Sequence, residues 1–233
     1  MLKKTVLTFS FLTLITTFYG FNARMGVPMD GTQLSDEAAT DSVTASDALA
    51  DKPVISAYDG LIRSISEKEG NDWRLMSAIA YHESRFTPDI VSRSGARGLM
   101  QIMPSVARQF DVPVEQIADP ETNVWLANRL MTTIQTMLRF PQGTSEKDRM
   151  SIVLACYNGG IGHVNDARRL ARLHGEDPNS WEVVSRYLEL KAQPEYYEND
   201  AVKCGRFTGY RQTKAYVDDV IGRYDTYCRL ARR

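Results

Sequence analysis

The stretch LMSAIAYHESRFTP, residues 75–88, carries an apolar stripe that ends in a carboxylate. Met76, Ile79, Ala80 and Glu83 recur at i, i+3, i+4 and i+7, which is one face of a helix. The spacing predicts a helix from Trp73 to Ser84, stopped at Thr87-Pro88 because the residue before proline avoids the helical region. A glutamate on an apolar stripe is costly unless it is hydrogen-bonded, paired or neutral. Two readings follow. Glu83 is a structural group paired with Arg85, Arg93 or Arg97, or it is a carboxylic acid kept protonated near neutral pH. The negative end of the helix dipole also disfavours an anion there. An acid tuned in this way is fit to protonate a glycosidic oxygen.

The periodicity stays helical outward from this point. Ile55, Tyr58, Leu61, Ile62 and Ile65 form a stripe closed by Gly70. Pro104 opens a helix after GLMQI, where its missing N–H does no harm. Asp119-Pro120 starts another, through Val124, Leu126, Ala127, Leu130, Ile134 and Leu138. Met150 to Cys156 is apolar all round and reads as a buried helix broken at Gly159-Gly160. Helices over 163–174, 181–190 and 213–230 complete the pattern. A small β element is expected near 203–208. The expected architecture is all-α, one globular domain of many short helices.

The N-terminus reads differently. MLKK followed by the diluted apolar run 6–21 predicts a signal peptide over 1–23, with an uncleaved anchor as the competing reading. Residues 24–52 are rich in Asp, Ser, Thr and Ala and predict a disordered linker. The leader adds two positive charges and the linker nets −4, so a formal total of −1 leaves +1 for the domain 53–233. Nothing in that balance points to nucleic acid as partner. Export permits disulfides, and a Cys204–Cys228 bridge is the expected pairing, with Cys156 left over. His82, His163 and His174 show no ligand spacing with the cysteines, so neither metal nor cofactor is expected. His82 falls on a different helix face from Glu83 and reads as a surface or satisfied histidine.

Two further segments bear on the site. SRSGARGLMQIMP, 92–104, sets a Gln among apolar residues, which needs a ligand or the backbone as partner. ACYNGGIGHV, 155–164, puts Tyr157 and Asn158 where a buried helix breaks. Arg168, Arg169 and Arg172 read as a solvated face, with peptide carboxylates as the alternative.

Together, ES at 83–84, SRSGARGLMQIMP, ACYNGG at 155–160 and QTKAYV at 212–217 resemble the soluble lytic transglycosylases, glycoside hydrolase family 23. The C-terminal part resembles the catalytic domain of the membrane-bound F-type members. The resemblance implies a lysozyme-like fold, peptidoglycan glycan strands as partner and a monomeric enzyme. It implies that Glu83 is the catalytic acid and base, with Ser92, Gln101, Tyr157, Asn158 and Tyr216 binding substrate. Cys156 stands where the family usually has alanine, and Gln212 where it has glutamate. The implied reaction cleaves the MurNAc–GlcNAc bond without water and leaves a 1,6-anhydro end. The alternatives are a goose-type hydrolase, for which Asp89 or Asp111 would activate water, and a non-catalytic glycan-binding module. The implied location is the periplasm or the exterior.

Overall fold

The computed structural model describes residues 55–231. The expected leader and linker lie outside the described residues. The helices are α1 (Asp59–Lys68), α2 (Trp73–Ser84), α3 (Pro104–Gln109), α4 (Pro120–Met137), α5 (Glu146–Gly159), α6 (Ile161–Leu173), α7 (Trp181–Leu190), α8 (Pro194–Tyr197) and α9 (Tyr210–Leu230). A 3-10 turn spans Val114–Ala118. The fold is all-α, as the periodicity predicts.

Two helices form the centre. In α2, every residue from Leu75 to Ala80 is buried. In α5, Ser151 to Cys156 are buried in an unbroken run. The sequence expectation of a helix apolar all round at 150–156 holds, and burial of each large side chain stabilises by roughly 1.5–3 kcal/mol. The long α9 packs along both α2 and α5. It does so with Thr213, Tyr216, Val217, Val220 and Tyr227. Helices α1 and α4 pack together and cover the other side of this centre, α1 against α2 and α4 against α5.

The helix ends differ from expectation in instructive ways. Helix α2 begins where Asp72 caps the Arg74 N–H, and it ends before proline acts. Arg85 (φ 54°) and Phe86 (φ 62°) both enter the left-handed region, which turns the chain away directly after Glu83. Helix α5 starts at Glu146, not near 150, because Ser145 Oγ accepts from the Asp148 N–H. Gly159 stays helical and Gly160 alone, at φ 89°, makes the break. The turn and short helix at 114–118 and 194–197 carry too few residues to show a period.

The β element expected at 203–208 is absent; among the described residues there are only isolated bridges, Val91 with Arg97 and Arg97 with Ile102. The backbone donors at 203–208 go elsewhere. Lys203 N and Cys204 N donate to Asp166 at 2.8 and 2.9 Å, and Phe207 N donates to the Lys191 carbonyl. Asp166 also takes the Lys191 ammonium at 2.6 Å, with neither side chain exposed. Arg169 donates to the same carboxylate and to the Ala201 carbonyl. Arg168 is buried and braces Pro178 and Asn179. Only Arg172 of the three arginines is exposed as the sequence reading had it.

The Cys204–Cys228 bridge is also absent, and all three cysteines are free thiols. Cys204 Sγ packs over Gly162, where an added Cβ would lie 2.5 Å away. Cys228 instead sits near Tyr224 and Arg74.

Replacing Asp166 by Ala leaves Lys191 buried without a counter-charge, with only the His163 Nδ1 at 3.1 Å beside its ammonium. The expected cost is about 3–5 kcal/mol, read from urea unfolding at pH 7.

Candidate active site

The site is built where the C-terminal ends of α2 and α5 meet the side of α9. Glu83 ends the apolar stripe of α2 and is half-buried, closely surrounded yet reachable by water. Burial raises its pKa to about 7, offset in part by the Tyr216 hydroxyl, which favours the carboxylate. Among the described residues no Arg or Lys forms an ion pair with it. The paired reading therefore fails. Arg85 stacks on Tyr81, Arg93 is exposed, and the Arg97 Nε is buried without a partner.

Two tyrosines flank the acid. Tyr216 is 1% exposed. Burial raises its pKa well above the usual value, and the Glu83 charge and Tyr157 add to this. Its hydroxyl reaches Glu83 but meets no partner at strict hydrogen-bond geometry. A long or misaligned contact of this kind is common before substrate arrives. Tyr157, at the end of α5, is raised by burial and then by Glu83. Both phenols therefore stay neutral donors. Tyr157 Oη donates to the Met100 carbonyl at 3.3 Å, which ties α5 to the glycine-rich loop. Asn158 is fixed by Thr213 Oγ1, which donates to its Oδ1 at 2.9 Å. The Gln212 position that departs from the family pattern is exposed.

The loop before α3 carries the other two expected residues. Ser92 Oγ accepts from the Ala96 N–H at 2.9 Å, closing a small turn. Gln101 adopts φ 47° and donates from Nε2 to the carbonyls of Ile90 and Gly98. Of the two partners the sequence allowed, the Gln101 amide N–H group takes the backbone. Glu83, Tyr157 and Tyr216 form one cluster, Asn158 joins it through α9, and Ser92 and Gln101 shape the neighbouring loop.

Sequence reasoning missed the residue that fixes this loop. Asn123 of α4 is fully buried. It accepts from the Met100 N–H at 2.8 Å and donates to the carbonyls of Arg97 and Ile117 at 2.8 and 2.9 Å. The signal was present: Asn123 shares the stripe of Ala127, Leu130 and Ile134 as Glu83 shares that of α2. Gly98 is required beside it, since at φ 78° a Cβ would stand 2.5 Å from Asn123 Nδ2.

The fold thus presents, at the end of a buried helix, a carboxylic acid whose pKa is raised to about 7, with two tyrosines beside it. The model of the transglycosylase SLT domain matches residues 60–178, about half of the chain, and the protein belongs to that family. A membrane-bound lytic murein transglycosylase F from Marinobacter nauticus is 35% identical over 173 residues, covering 74% of this chain and 33% of that protein. One from Alcanivorax borkumensis is 34% identical over 168 residues, covering 72% and 34%. The chain thus spans about a third of the length of these relatives. An inactive mutant of the lytic transglycosylase Slt from Pseudomonas aeruginosa shares the fold, with a TM-score of 0.52 at 21% identity over 76% of this chain and 24% of that one.

Two outcomes are expected. Asn123→Ala strands two buried backbone groups, the Met100 N–H and the Ile117 carbonyl, at about 1–3 kcal/mol each if neither finds water, while the Arg97 carbonyl keeps the Ile102 N–H; urea unfolding should show a loss of at least 2 kcal/mol. Glu83→Gln should stabilise. An acid whose pKa is raised on folding supports the fold below its unfolded value and opposes it as pH rises through the folded value. The variant should match the wild type near pH 4 and exceed it by on the order of 2 kcal/mol at pH 8, the difference growing between pH 4.5 and 7.

Proposed function

We propose that this protein is a peptidoglycan lytic transglycosylase that uses Glu83 alone as acid and then base. The observation that carries the reading is an acid with its pKa raised to about 7, with no second carboxylate contributing to that shift. Protonated Glu83 gives its proton to the oxygen between N-acetylmuramic acid and N-acetylglucosamine. As that bond breaks, the 2-acetamido group of the substrate stabilises positive charge at C1. Ionised Glu83 then removes the proton of the muramic 6-hydroxyl as this oxygen bonds to C1. The bond is exchanged within the sugar, no water is consumed, and Glu83 ends protonated as it began. A pKa near working pH suits a group that must act in both directions.

The remaining residues take supporting roles. Tyr216 and Tyr157 stay neutral donors beside the carboxylate as it forms. Asn158 and Gln101 line the approach, the latter through its side-chain carbonyl, since its N–H group is engaged with the backbone. Ser92 keeps its hydroxyl proton free to meet the muramic residue, because its oxygen only accepts from Ala96. The names of the relatives support a murein substrate. An exported enzyme working on the wall would fit the leader expected from the sequence.

The hydrolase alternative needs a carboxylate to activate water. Asp89 and Asp111 are both exposed, and neither enters the causes of the Glu83 shift. A binding module would have no use for a carboxylic acid kept neutral at some cost in stability.

Mass spectrometry of digested peptidoglycan tests the proposal. Muropeptides lighter by one water than hydrolytic products should appear with the wild type and vanish with Glu83→Gln. Ordinary reducing ends would establish hydrolysis instead. The rate should also fall as pH rises above about 7, because the proton that Glu83 must donate is lost.

A further inference from the structure

His82 adjoins Glu83 in sequence but faces α9. Its ring meets the Tyr216 ring edge to face, with centroids 4.7 Å apart and planes at 78°. On its other side, Nδ1 lies 3.5 Å from Asp219 Oδ2. Asp219 follows Tyr216 by three residues, so one turn of α9 presents both contacts. The Tyr216 ring is wholly enclosed, while its hydroxyl has no partner at strict geometry. The phenol is therefore placed by what packs on its ring rather than by a hydrogen bond at its tip.

We infer that His82, held by Asp219, is a positioning residue: its imidazole fixes the tilt of the Tyr216 ring and so delivers the phenolic hydroxyl to Glu83. The groups that face His82 are Tyr216, Asp219 and Arg223 from α9, with Arg85 from its own segment. Burial lowers the His82 pKa, Asp219 opposes this, and Arg85 and Arg223 reinforce it. The ring is neutral at pH 7 and acts through its shape and its Nδ1 contact. The Tyr216 hydroxyl favours the carboxylate form of Glu83. Loss of His82 loosens that contact and makes Glu83 harder to ionise. The role in turnover rests on Glu83 being the acid and base proposed above; the role in setting its protonation does not.

The test is a carbon-13 NMR titration of the Glu83 carboxyl, assigned with Glu83→Gln, in the wild type, His82→Ala, His82→Phe and Asp219→Asn. In His82→Ala the midpoint should rise by about 0.5 unit or more, as the approach of the Tyr216 hydroxyl to Glu83 loosens. His82→Phe keeps a ring against Tyr216 and should return the midpoint most of the way. Asp219→Asn should shift it upward by less than His82→Ala. An unchanged midpoint in His82→Ala, or a fall as water enters the gap, overturns the proposal, as does failure of His82→Phe to restore it. If His82→Ala does not fold, an unshifted Asp219→Asn is sufficient to overturn it. Alongside, kcat should fall about tenfold in His82→Ala with KM unchanged. The titration needs no turnover. Absence of anhydro products from the wild type would therefore sink the transglycosylase reading while leaving the positioning role decided by the midpoints.

Discussion

The structure depends on one constraint: a carboxylic acid must sit where water can reach it but cannot solvate it well. Glu83 meets this at the end of a helix buried on nearly every side. The core around Met76, Ile79 and Ala80 supplies the low polarity, and α9 closes the other side with Tyr216. What opens the site is the chain's exit. Two successive residues in the left-handed region, Arg85 and Phe86, end α2 abruptly. Such a backbone costs of order 1–3 kcal/mol per residue and persists only where surrounding packing enforces it. Here it leaves the carboxyl at a free helix end instead of under another turn.

The support for this arrangement is polar and long-range. Asn123 holds the Arg97–Met100 loop with two hydrogen bonds and the Val114–Ala118 turn with a third, and Met100 in turn receives the Tyr157 hydroxyl. Asp166 performs the same service on the far side. It gathers Lys191, Arg169 and two backbone N–H groups, and so pins the segment that leads into α9. Phe207, on that segment, packs against Gly159 directly after Asn158. The two networks thus fix the loop and the helix end that flank the acid.

Much of this was legible in the sequence. A run such as 150–156 has only one way to satisfy its burial, and the stripe of α2 announced both the helix and the oddity of Glu83. The acid's environment could be read because its neighbours lie three and four residues away. The identity of what satisfies a polar group could not. Asn123 finds two of its three partners in a loop more than twenty residues earlier, and Asp166 finds two of its donors beyond residue 200. The β element expected at 203–208 failed for that reason: its N–H groups look like ladder donors until the distant carboxylate is known. The expected disulfide failed likewise, since nothing local reveals that Cys204 faces a glycine in α6. Helix starts at 146 and 210 were missed because polar first turns show no apolar period. The four resembling blocks supplied the candidate site residues. Their division of labour, with Ser92 and Gln101 bound into their own loop, is a matter of backbone geometry.

The placement of Tyr216 on the last long helix has a consequence for how the molecule comes into being. Glu83 and Tyr216 are separated by more than a hundred residues. Contacts of such separation form late, because a long loop must close before they return any stabilisation. While the chain is being made, Glu83 is an ordinary solvated carboxylate, ionised at neutral pH and unable to give up a proton. Its pKa rises only as the fold closes around it and buries the carboxyl. The raised pKa is therefore a property of the completed fold and not of the growing chain.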